Sequence, residues 1–79
     1  MKLKLTRHFQ DMMAWRGIEL DDIKKTLREP DETENAYGNA LKARKQIGGK
    51  NIEVIYCKDG FKDRKDEYLV ITAYYLQNQ

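Results

Sequence analysis

Seventy-nine residues, 41% of them hydrophobic and 35% charged, describe one small domain and exclude intrinsic disorder; a chain of this size hides only about 60% of its unfolded surface. Fifteen Lys and Arg against thirteen Asp and Glu leave a net charge of +2, so no global field draws the molecule onto nucleic acid and any basic surface is local. Cys57 is the one cysteine, which excludes an internal disulfide, and the lack of a signal-like segment or of about 20 consecutive apolar residues predicts a cytoplasmic protein with no membrane partner.

Residues Met1 to Leu5, MKLKL, alternate polar and apolar and fit a short edge strand or an ordered lead-in equally well. From Thr6 the period becomes helical: Leu5, Phe9, Met12 and Met13 recur on one side, with Thr6 placed to cap the N-terminus. Gly17 supplies a left-handed stop, and Ile18 is set to fold back on Met13. A second helix follows at once, with Glu19 as its expected cap, Asp22 three residues on, and Ile18 and Ile23 at the spacing of a hydrophobic staple. Lys24, Lys25 and Arg28 suit its C-terminal half as a solvated face, and Pro30 ends it near Arg28.

Asp31 to Asn39 read as a turn running into a short strand near Thr33 to Tyr37. Leu41, Ala43, Lys45 and Ile47 alternate with Lys42, Arg44 and Gln46, a half-exposed strand ending at the turn Gly48-Gly49. Asn51 to Lys58 is its antiparallel partner, Asp59-Gly60 a further turn, and Phe61 to Asp66 a charged connection. The final run, Glu67 to Leu76, is the longest and richest in β-branched and aromatic residues; its two mixed faces predict an interior strand. Strict alternation puts Leu69, Ile71, Ala73 and Tyr75 on one face and Tyr68, Val70, Thr72 and Tyr74 on the other. The predicted fold is α+β: two N-terminal helices packed on one face of a three- to four-stranded antiparallel sheet.

One His and one Cys do not make a zinc site, and no phosphate-binding loop, serine elbow or paired-carboxylate motif is present, so no metal and no cofactor is expected. Cys57, inside an apolar strand, reads as packing. Charge is the remaining lead. No acid occurs between Glu34 and Glu53, yet that span carries Lys42, Arg44, Lys45 and Lys50. Lys42 and Arg44 share a strand face beside a turn, an arrangement suited to phosphates, and Tyr56 and Tyr74 on neighbouring strands offer rings for unpaired bases. The plainer alternative is that these cations solubilise a sheet face and guard its edge. His8 falls on the flank of the first helix between Met12 and Trp15, with Asp11 placed to pair with it.

The run His8 to Ile18, HFQDMMAWRGI, then the Glu29-Pro30-Asp31 break, KARKQIGGKNIEVIY and VITAYY together resemble a small prokaryotic family still described as a domain of unknown function. Its usual pattern is His-Ala-x-x-Arg-Met-x-x-Arg-Gly-Ile, a helix ending in Pro, a basic strand and a final strand with Thr. That family is similar in organisation to RelE-like and BrnT-like toxins, which implies a RelE/barnase-like scaffold, RNA binding on the sheet and control by an antitoxin. Residue by residue, the resemblance implicates His8, Arg16, Arg44, Thr72 and Tyr74, while the pattern's first Arg is Met12 here.

Two readings follow. In the first, a toxin-type endoribonuclease, a 2′-hydroxyl attacks the adjacent phosphate; Arg44 and Lys42 stabilise phosphoryl charge, His8 or Tyr74 moves protons, and Arg16, Lys42, Lys45, Tyr56 and Thr72 bind substrate. In the second, the chain is a non-catalytic module of toxin descent that binds RNA or protein. Exposed sheet edges make a homodimer plausible in either.

Overall fold

The computed structural model describes residues 2–58 and 67–76. Its elements run β1 (Lys2–Leu5), α1 (Arg7–Arg16), α2 (Leu20–Arg28), β2 (Glu32–Asn35), β3 (Leu41–Ile47), β4 (Lys50–Lys58) and β5 (Glu67–Leu76), and the strands form one sheet in the order β1-β5-β4-β3-β2. The expected three- to four-stranded antiparallel sheet of a RelE/barnase-like scaffold is therefore corrected to a five-stranded mixed sheet. Lys2–Leu5 is a true strand, and it pairs parallel to β5, Lys2 against Glu67 through Leu5 against Val70. The turn expected at Asp59-Gly60 and the connection Phe61 to Asp66 lie outside the described residues. Among the described residues no helix is long and apolar enough to cross a membrane.

Local chemistry sets the helix ends. Thr6 keeps an extended backbone, and its hydroxyl accepts from the Phe9 N–H at 3.0 Å, satisfying one of the orphan donors of α1. Gly17 turns left-handed at φ 66°, and the Ile18 N–H returns to the Met13 carbonyl at 3.0 Å, the bond of a Schellman ending. Glu19 holds the cap position of α2 but makes no side-chain cap; its carbonyl accepts from Asp22 and Ile23, and Asp22 instead takes the Tyr75 hydroxyl at 2.9 Å. The predicted Glu19–Asp22 capping pair is thus replaced by a tie between α2 and β5. Pro30 follows the helix as expected, and the next strand is Glu32–Asn35, slightly earlier than Thr33 to Tyr37.

One irregularity changes which β5 side chains face the core. Between β4 and β5 the register shifts: Ile55 opposes Thr72, whereas Tyr56 opposes Val70, leaving Ile71 as the extra residue. Strict alternation breaks there. Tyr68 and Val70 consequently share the helix-covered face with Ala73 and Tyr75, while Leu69 lies with Thr72 and Tyr74 on the uncovered face. The core forms between that covered face and the helices, from Phe9, Ile18, Ile23 and Leu27 against Ala43, Ile52, Val54, Tyr56, Val70 and Ala73. Ile23 is fully buried there. Replacing Ile23 by Ala is expected to cost about 2–4 kcal/mol, a large part of the stability of so small a domain. Denaturant unfolding checks this, and a change below about 0.5 kcal/mol would contradict the packing of α2.

Candidate functional site

The span without acids in sequence is lined by acids in space. Antiparallel pairing sets Glu32 against Arg44 and Glu34 against Lys42 from β2, and Glu53 against Arg44 from β4. Arg44 donates from Nε to Glu53 Oε1 at 2.6 Å, from Nη2 to Glu34 Oε1 at 2.8 Å and from Nη1 to Glu32 Oε2 at 3.3 Å. The bond to Glu53 is the main cause holding its guanidinium above the ordinary pKa, against a smaller opposing cost of desolvation. Lys42 lies 3.8 Å from Glu34, and Lys45 donates to the Glu29 carbonyl at 2.7 Å and lies 3.6 Å from Asp31. Lys50 sits 4.9 Å over the Tyr75 ring. On the uncovered face, two cations (Lys42, Arg44) stand among three carboxylates (Glu32, Glu34, Glu53), a local charge of 2 − 3 = −1. Both cations of this patch are thus engaged by carboxylates.

Tyr56 is a further correction. Its ring is buried in the core, edge-on to Tyr68 with centroids 5.5 Å apart, and burial raises its hydroxyl pKa, so it offers no face to a base. Tyr74 and Thr72 lie half-buried on the uncovered face, opposite Glu53 and Ile55. His8 is exposed on α1, in the helix layer on the other side of the sheet. The three catalytic candidates His8, Arg44 and Tyr74 therefore do not converge on one reacting atom.

What the structure gathers is one side of α1, joined to the rim of β5 through Arg16. His8, Asp11, Met12, Trp15 and Arg16, spaced three, four, seven and eight along the helix, line a groove of about 410 Å³. Trp15 is 91% exposed beside it. Arg16 reaches from the last turn to the sheet, where Nη1 donates to the Ala73 carbonyl at 2.9 Å and to Thr72 Oγ1 at 3.4 Å. Of the residues that the resemblance implicated, Arg16 meets Thr72 at the rim and shares the groove with His8, whereas Arg44, marked by charge as well, is absorbed by the sheet. Trp15 and Met12 escaped selection as site residues. A tryptophan off the apolar arc of an amphipathic helix is the signal that marks it.

Arg44 is a structural residue on this geometry. Arg44→Ala leaves the Glu53 carboxylate, 3% exposed, without its nearest donor, and orphaning a buried acceptor costs about 1–3 kcal/mol. Thermal unfolding of the variant should show the loss, while any RNA affinity and its salt slope stay unchanged; a slope reduced by about one would return Arg44 to a phosphate site.

Comparison with known proteins found no matching curated protein and no matching solved structure. A family model described as a domain of unknown function, DUF4258, matches residues 5–75, nearly the whole chain and every candidate site residue. The chain belongs to the DUF4258 family.

Proposed function

We propose that this domain is a non-catalytic protein-binding module, acting in the cytoplasm, whose contact surface is the outer groove of α1 with the adjoining rim of β5. The observation that carries the reading is Trp15, 91% exposed and flanked in its groove by Met12 and Arg16. Trp and Arg are the residues on which binding energy at protein interfaces concentrates, and a small domain gains nothing in stability from a tryptophan left in water. The family pattern that this chain resembles has Arg where Met12 stands, so the groove here exchanges a cation for apolar surface. The acid-lined sheet face argues the same way, because it offers no cationic channel for a nucleic acid.

A second reading, a toxin-type endoribonuclease or RNA-binding domain held by an antitoxin, draws on one observation. His8, Trp15 and Arg16 share the groove, and an imidazole, a stacking ring and a guanidinium are the parts that such a protein uses on single-stranded RNA.

Expression in a bacterium with and without the products of neighbouring genes separates the two. The binding reading predicts no growth arrest, no cleavage of total RNA by purified protein, and a co-purifying protein whose association Trp15→Ala weakens by about tenfold or more. Cleavage of total RNA that His8→Ala or Arg16→Ala abolishes would overturn it in favour of the nuclease. Trp15 is the sole tryptophan, so a shift of its emission to shorter wavelength reports burial on complex formation directly.

A further inference from the structure

The rim of β5 carries an inference that rests on the protein-binding reading and specifies the partner. β1 pairs only with residues from Glu67 to Val70, so from Ile71 to Leu76 β5 has no strand beside it on that side among the described residues. In a strand the N–H and C=O of one residue point the same way and alternate along the chain. The Ala73 carbonyl meets Arg16 rather than β4, and the same guanidinium touches Thr72 Oγ1 on the uncovered face, which places Arg16 on the rim. The backbone groups of Ala73 and Tyr75 therefore face outward, and those of Thr72 and Tyr74 face β4.

We propose that this rim is a strand-addition site for an extended segment of another protein that alternates apolar and acidic residues. Arg16 is the deciding group. Unlike Arg44, it spends its hydrogen bonds among the described residues on a hydroxyl and a carbonyl, both neutral. A carboxylate on the incoming strand offers the guanidinium a partner of opposite charge and two acceptor oxygens in its own plane, which a neutral hydroxyl and carbonyl do not. Arg16 swings onto it and vacates the Ala73 carbonyl, which then accepts an N–H from the new strand. Apolar side chains of the segment settle on Met12 and Trp15. RNA has no row of backbone donors and acceptors at the strand repeat to match the rim. A second copy paired about a two-fold axis brings its own Arg16 against this one, a repulsive arrangement. The far edge of the sheet is closed to the same use, because β2 is only four residues long, exposed at each of them and charged at Glu32 and Glu34.

The test selects from a displayed random peptide library of about twelve residues against the intact protein, then follows an enriched peptide by amide hydrogen exchange and Trp15 emission. The expected peptides alternate apolar residues with Asp or Glu, slow exchange at Ala73 and Tyr75 by about tenfold or more, and shift Trp15 to shorter wavelength. Arg16→Ala should weaken them by about tenfold and Arg16→Lys by less; because Arg16→Ala also orphans the Ala73 carbonyl and lowers the melting temperature, affinities are compared well below the unfolding transition of each variant. Peptides that bury Trp15 without slowing exchange at Ala73 and Tyr75, or that show no acidic preference, overturn strand addition and leave the protein-binding reading standing. Failure of the library to yield any peptide dependent on Trp15 overturns both.

Discussion

A mismatch of length organises this molecule. β5 is ten residues long and lies second in the sheet, but its outer neighbour β1 supplies only four. Backbone donors and acceptors left without partners are costly when buried, so the remaining rim must be covered by something other than a strand. The chain solves this with the end of α1: Gly17 stops the helix so that Arg16, its last residue, lies where a guanidinium reaches the Ala73 carbonyl. Ala73 itself is fully buried, its side chain in the core beneath the helices. One side chain thus finishes an edge that the sheet leaves open, and it is a side chain that can leave.

The opposite face follows a different logic. There β2, β3 and β4 bring five charged side chains into adjacent rows, with Arg44 at the centre bonded to all three carboxylates and Lys42 beside Glu34. The pair with Glu53 is the tightest and most buried, and a buried carboxylate demands such a partner. The network fixes the order of three strands by charge, and its cations are spent in doing so. The contrast between Arg44, surrounded by acids, and Arg16, held by neutral groups beside an exposed tryptophan, is what moves the functional reading from the sheet face to the helix groove.

Much of this was legible in the residues because the determining interactions are local. Thr6, Gly17 and Pro30 mark helix ends through bonds within a few residues, and the hairpin of β3 and β4 turns at Gly48 and Gly49 as the alternation requires. β1 was not assignable, since four residues of alternation carry little information and a parallel partner more than sixty residues away leaves no local trace. The bulge at Ile71 was equally silent, and it reverses the faces of half of β5. For the site, sequence neighbours misled: a stretch without acids looks basic until β2 and β4 are laid beside it. Of the residues that the resemblance implicated, His8 and Arg16 are eight apart and fall on one side of α1, a relation that helical period alone preserves, whereas Arg44 lies in the ion-pair network of the sheet.

The central claim is that Arg44 is committed to the structure and Arg16 is available to a ligand. Proton–nitrogen NMR of the arginine Nε–H groups, recorded on the intact protein while inorganic phosphate and then acetate are added, tests it most directly. The account predicts that the Arg44 resonance, bonded to Glu53 at 2.6 Å, exchanges slowly and stays still with both anions, while that of Arg16 shifts with acetate. An Arg44 resonance that moves with phosphate while Arg16 stays fixed would contradict the account and restore the sheet face as the binding surface.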